Sequence, residues 1–215
     1  MTSREYLWRT ALDHSTRVAN LTDEYWCMFE PYMKLPEKYT KNLTEKDYLY
    51  LSALFHDVGK LTEEYKHEGS GYFHWMIDKA ELLKVFYPKN ISLPEKKALI
   101  YTVFYVIRNH HEYLGKNSVR EPHKNINFID ESISKLHLLA KEKTGVELSG
   151  ITGRKIGDPR DLSVFGFAQK ALEIVSFFDN LDAILTRPDP EKTKLMEKFL
   201  SHPDYRKIYH EVMSK

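Results

Sequence analysis

A single cysteine, Cys27, excludes an internal disulfide and any cysteine-rich zinc site, and it fits a reducing, intracellular compartment. Long hydrophobic runs are missing as well. No stretch is apolar for long enough to span a membrane, and Met1 to Arg9 has no apolar core of signal-peptide length. A cytoplasmic protein without membrane contact is therefore expected. Charge of one sign is not in excess: 32 basic and 31 acidic residues leave a formal net charge of +1. Binding to a polyanion would have to rest on local basic clusters or on metal ions. Glycine is scarce, at 9 of 215 residues, and no useful run of period-two alternation occurs, so the usual signals of sheet are absent. Neither internal repeats nor low-complexity tracts are found.

What is present is a folded, helical chain. Hydrophobic residues make up 42% and charged residues 29%, and 215 residues suit one domain with a substantial core. Apolar residues recur at three- and four-residue spacing, which predicts an all-α, single-domain fold over residues 1–215. A first helix is expected from Tyr6 to about Phe29, ahead of breaks at Pro31 and Pro36. Thr44 and Asp47 resemble a capping box, with Asp in place of the usual Glu or Gln; it opens a helix that should stop near Gly59. Further helices are expected from about His74 to Val85, Ala98 to about His111, Phe128 to Lys143 and Phe165 to Leu185. Ser92 and Glu95 form a second capping-box pattern. Asp189-Pro190 makes a good helix start near the end of the chain. The connection at about 144–160 is read as an internal loop.

Ten histidines are many for this length, and their positions carry the chemistry. In LFHDVGK, Leu54 to Lys60, a histidine and an aspartate sit side by side at the end of an apolar helix. Two hydrophilic groups there need partners, and a divalent metal supplies one. Asp57 offers two oxygens and so could bridge two ions. Lys60 lies three residues beyond Asp57, where a cation could pair with a substrate phosphate. Alone, the dipeptide says little. Around it, however, His14 lies in the apolar-flanked run ALDHSTRVA, His74 follows the glycine-bearing loop HEGSG, and His110-His111 ends the most apolar helix. Asp179 lies within EIVSFFDNLDAIL, where an unpaired carboxylate is expensive to bury.

The order His14, His56-Asp57, His74, His110-His111, Asp179 resembles the two-metal form of the HD superfamily of phosphohydrolases. Within that superfamily, HDVGKLTEEY followed by a lone His and a His-His pair is most similar to the HD nuclease of type I CRISPR systems. No GxxxxGK[ST] phosphate loop is present, so the similarity is to the stand-alone subunit and not to the helicase fusion. The resemblance implies that His14, His56, Asp57 and Asp179 hold one ion, and that Asp57, His74, His110 and His111 hold a second, with Asp57 bridging. It implies cleavage of single-stranded DNA, or RNA, in antiviral defence, with Asp57 and Lys60 as catalytic residues. Manganese, cobalt, nickel or iron would be favoured over magnesium, since imidazole-rich ligation suits transition metals better. The partners implied are a separate helicase subunit and an RNA-guided surveillance complex.

Several alternatives stay open on the residues themselves. His67 competes with His74, and Asp182, three residues on, competes with Asp179 or orients a ligand histidine from behind. His123, His137, His202 and His210 read as surface residues. Tyr72, Phe73 and Trp75 are core packing or a base-stacking surface, and Arg154-Lys155 and Arg160 are a solvated charge run or a phosphate contact. NHHEYLG at 109–115 resembles the HHE segment of cyclic-dinucleotide phosphodiesterases, although their Gly-Tyr-Pro element is missing. A nucleotide or cyclic-dinucleotide phosphohydrolase is therefore the second expectation, and a non-catalytic helical binding module the third.

Overall fold

The computed structural model describes residues 3–63, 77–110, 126–153, 155–186 and 190–214. His67, His74, His111, His123, the three aromatics at 72, 73 and 75, Arg154 and the Asp189 cap lie outside them. The fold is all-α, with two strands of two residues each. Among the described residues no helix is long and apolar enough to cross a membrane.

Four helices make the frame: α1 (Ser3–Glu24), α3 (Glu45–Phe55), α5 (Leu93–Asn109) and α7 (Leu162–Thr186). α1 packs on α3, α3 on α5, α5 on α7 and α7 back on α1, so the four close a ring. Short α4 (Lys79–Leu83) and α6 (Asp130–Thr144) flank it, and α8 (Pro190–Leu200) and α9 (Pro203–Met213) cover the far side of α7. This explains why α7 is apolar nearly all round. Phe177, Phe178 and Leu181 are fully buried because the helix has neighbours on both faces.

Both sequence-read capping boxes are formed. Thr44 Oγ1 accepts from the Asp47 backbone N at 3.3 Å while the Asp47 carboxylate accepts from Thr44 N at 2.7 Å. Ser92 and Glu95 make the same exchange at the start of α5. Elsewhere the boundaries differ from the sequence reading. The first helix stops at Glu24, because Tyr25 leaves the helical path to stack on Phe178 and to donate to Glu211 of α9. Trp26–Phe29 then continues as a short α2. α4 begins at Lys79, since the Asp78 carboxylate caps Ala80 N and fixes the start there. α3 ends at Phe55, and a 3₁₀ turn, Val58–Lys60, replaces the last turn expected before Gly59.

The 144–160 connection is mostly irregular, but Leu148–Ser149 (β2) pairs antiparallel with Tyr87–Pro88 (β1). Gly145 adopts φ +70° to terminate α6. A Cβ on Gly150 would lie 1.9 Å from the Lys84 carbonyl oxygen, so only glycine lets this segment dock there.

One buried carboxylate ties the N-terminus of α5 to the loop before α3. Glu95 is fully buried and accepts from the backbone N of Asn42 and Leu43, the Asn42 side chain and Ser92 N. Removing it strands several donors at once. Glu95→Ala is expected to lower the unfolding free energy by about 3 kcal/mol in urea titration. Lys141→Ala, which breaks the exposed pair with Glu147, should leave the midpoint unchanged.

Candidate metal centre

At the middle of the four-helix ring, α1 and α7 bring in polar groups from within their length, and α3 and α5 from their C-terminal ends. α1 supplies His14, α7 supplies Asp179, the end of α3 supplies His56 and Asp57, and the end of α5 supplies His110. His56, Asp57 and His110 are at most 1% exposed, and Asp179 is 6% exposed.

The backbone fixes how the histidines point. His56 Nδ1 lies 2.6 Å from the Ala53 carbonyl oxygen, and His110 Nδ1 lies 3.0 Å from that of Ile107 and 3.1 Å from that of Val106. A carbonyl can only accept, so Nδ1 carries the proton in both rings and Nε2 presents a lone pair. His56 Nε2 is buried and makes no hydrogen bond among the described residues. Burial pushes the His110 imidazole below its ordinary pKa, which keeps it in the neutral, ligating form.

The Nε2 atoms converge on two carboxylates. His14 Nε2 is 2.9 Å from Asp179 Oδ1 and 3.6 Å from Asp57 Oδ2. His56 Nε2 is 3.5 Å from Asp57 Oδ2 and 3.8 Å from Asp179 Oδ1, and His110 Nε2 is 3.5 Å from Asp57 Oδ1. Donors held about 2.1 Å from one ion at tetrahedral or octahedral angles lie about 3.0–3.4 Å apart. The observed separations suit such a shell and are too long, apart from the His14–Asp179 bond, for direct hydrogen bonds. Among the described residues two sets have ligand atoms within 4.8 Å of one another: His14, His56 and Asp179, and His56, Asp57 and His110. Imidazole with carboxylate is a donor set for a divalent transition metal, and the residues present fit one.

Behind the ligands stands a second row. Asp182 Oδ2 accepts from His14 Nδ1 at 2.7 Å, and Arg17 grips Asp182 with two hydrogen bonds, of 2.7 and 3.0 Å. His14 and Arg17 are three apart on α1, and Asp179 and Asp182 are three apart on α7, so the two helices face each other through matched pairs. Burial would raise the Asp182 carboxyl, but its bonds to His14 and Arg17 hold it below the usual range. Burial would likewise lower His14; its hydrogen bonds to Asp179 and Asp182 overcome this and raise its pKa to about 9. Sequence reading had Asp182 as a rival of Asp179 or as a partner that orients a ligand histidine; it bonds His14 Nδ1, while Asp179 faces His14 Nε2. Arg17 went unremarked, although the HxxR and DxxD spacing was the signal. Lys60 Nζ sits 2.5 Å from Asp57 Oδ2, one-fifth exposed at the rim.

Of the histidines read as surface residues, His202 and His210 are exposed. His137 is not: its ring is half-buried, Nε2 donates to the Val85 carbonyl at 2.6 Å, and burial lowers its pKa.

A family model, that of the HD domain, matches residues 11–143. The matched stretch carries His14, His56, Asp57 and His110, and ends before α7 brings in Asp179 and Asp182. No curated protein and no solved structure matches the chain significantly.

His14 gives the metal-free protein a definite pH response. Its pKa is raised on folding from 6.5 to about 9, so the stability it contributes is complete below pH 6.5 and is lost as pH rises to about 9. The melting temperature of the metal-free chain should fall over that interval, and His14→Ala should flatten the fall. Asp182→Ala removes no atom of either ligand set, yet should weaken manganese binding about 10–100-fold by calorimetry; unchanged affinity would mean that the second row is idle.

Proposed function

The chain belongs to the HD domain family, and we propose that within it the protein is a two-metal nuclease that hydrolyses phosphodiester bonds of single-stranded DNA or RNA. The coarser statement, a metal-dependent phosphohydrolase domain, follows from the family and the donor set. The observation that carries the finer one is the orientation of Asp57. Its Oδ2 faces His14 and His56, and its Oδ1 faces His110. A carboxylate whose two oxygens serve two sets of imidazoles is what a bridging ligand requires, and a single-ion site has no use for it. In this reading His14, His56, Asp57 and Asp179 hold one ion, and Asp57, His74, His110 and His111 the other; His74 and His111 lie outside the described residues.

Divalent ions held there would supply a nucleophilic water near neutral pH and positive charge for the attacked phosphodiester. The chain's own contribution is arrangement. The Ala53 carbonyl and the carbonyls of Val106 and Ile107 hold the His56 and His110 tautomers, so that Nε2 needs no proton loss before ligation. Asp182, clamped by Arg17, accepts the hydrogen bond from His14 Nδ1 and turns Nε2 toward Asp179. Lys60, one-fifth exposed beside Asp57, can shift from Asp57 to a non-bridging phosphate oxygen, neutralising charge that develops in the transition state. Histidine-rich ligation favours manganese, cobalt, nickel or iron over magnesium. CRISPR interference beside a separate helicase and an RNA-guided complex is the setting this proposal adopts from the sequence resemblance.

Hydrolysis of a nucleotide or cyclic dinucleotide draws on the same residues and is the competing reading. Incubation with circular single-stranded DNA and manganese separates the two. Nicking and degradation are expected, with Asp57→Ala reducing the rate at least about 1,000-fold and Lys60→Ala about 10–100-fold. Intact circles together with hydrolysis of a cyclic dinucleotide would overturn the nuclease reading.

A further inference from the structure

Net charge hides how unevenly the cations are distributed. At the N-terminal end of α5 two adjoining hollows, of about 450 and 610 Å³, share Leu93 as common floor. One wall is Gly153 with residues 155–160, and the other is the first turn of α5. Five cations line them: Lys38, Lys96, Lys97, Lys155 and Arg160. Asp158 is the one acid in the lining, and it is already paired with Lys79. Lys38 is held by Asp161, and Lys96 lies over the Tyr87 ring at 5.1 Å. Lys97, Lys155 and Arg160 make no ion pair among the described residues. In a chain of net charge +1, three unpaired cations along one groove are a local excess.

The floor is not polar. Leu93 is 62% exposed in the middle of these charges, with Tyr87 and Ile156 partly open beside it. A duplex keeps its bases inside and gains nothing from such a floor. An acidic peptide offers no flat apolar face next to each charge. A single nucleic-acid strand offers both, phosphates for the cations and base faces for the apolar floor.

We propose that this groove is a docking track for single-stranded nucleic acid, remote from the metal centre; the proposal rests on the nuclease reading above for the identity of the strand. α5 runs from Leu93 at the groove to His110 at the centre, a distance of about 25 Å at 1.5 Å per residue. Only a strand several nucleotides long touches both. The groove therefore selects for length, and it acts on strand binding without acting on the bond-breaking step.

The test is the triple variant Lys97→Glu, Lys155→Glu, Arg160→Glu in the full chain. Anisotropy titrations with labelled 20-residue oligothymidylate and oligouridylate, in chelator so that nothing is cut, should show at least about tenfold weaker binding of both in 0.1 M salt. The log–log salt dependence should become shallower by about 2, because each lost single-strand phosphate contact removes about 0.7. Manganese-dependent hydrolysis of bis(p-nitrophenyl) phosphate, too small to reach the groove, should be unchanged. Unaltered strand affinity and slope overturn the proposal, and so does retained strand binding with lost binding of polyglutamate, which would make the groove a seat for an acidic protein. Should the charge reversal lower the melting temperature, the triple alanine variant gives the same reading through the slope. Failure of the wild-type chain to hydrolyse either the ester or a strand sinks the nuclease reading instead, so the two failures are distinguishable.

Discussion

Burying the Asp57 and Asp179 carboxylates among three imidazoles is the requirement around which the rest of the molecule is ordered. Isolated carboxylates in an apolar interior are prohibitively costly, and here they stand at the junction of four helices whose buried faces are otherwise mostly aliphatic or aromatic. Compensation comes charge for charge. Asp57, Asp179 and Asp182 are faced by Lys60, Arg17 and a protonated His14. A metal ion would take over from the His14 proton, so proton and metal compete for the same position. The frame supplies what that exchange needs: α1 and α7 hold the His14–Asp179 and Arg17–Asp182 pairs rigidly, and carbonyls at the ends of α3 and α5 preset the other two histidines.

Helix ends and helix cores divide the labour. Capping boxes at Thr44–Asp47 and Ser92–Glu95 anchor the starts of α3 and α5, and the opposite ends of the same helices deliver His56-Asp57 and His110 to the centre. α5 in particular joins two surfaces of opposite character, a cationic groove at its start and an acid–imidazole cluster at its end. Asp57, Asp179 and Asp182 are committed inward, and Lys97, Lys155 and Arg160 line the groove at the far end of α5.

Much of this was legible in the sequence, and the rest was hidden for identifiable reasons. Helical periodicity and the two capping boxes are local signals, so the helices could be read with little tertiary information. Boundaries failed where a distant partner decided them, as when Phe178 and Glu211 draw Tyr25 out of the first helix. His14, His56, Asp57, His110 and Asp179 were singled out because polar groups in apolar helices need partners, and the fold brings these five together. Arg17 was missed because an arginine on an amphipathic helix looks like a solvated charge; only the packing of α1 on α7 shows what it grips. His137 was misjudged for the converse reason, since the Val85 carbonyl that accepts its hydrogen bond lies 52 residues away in the chain.

The central claim is that four helices converge to hold divalent metal, with Asp57 shared between two ions. Anomalous diffraction from crystals of the manganese-loaded protein tests it most directly. The account predicts two manganese peaks, one among His14, His56, Asp57 and Asp179 and one beside Asp57 and His110, with the Asp57 carboxylate between them. A single peak that leaves Asp57 Oδ1 unligated would contradict the bridge, and peaks only elsewhere on the surface would contradict the centre itself.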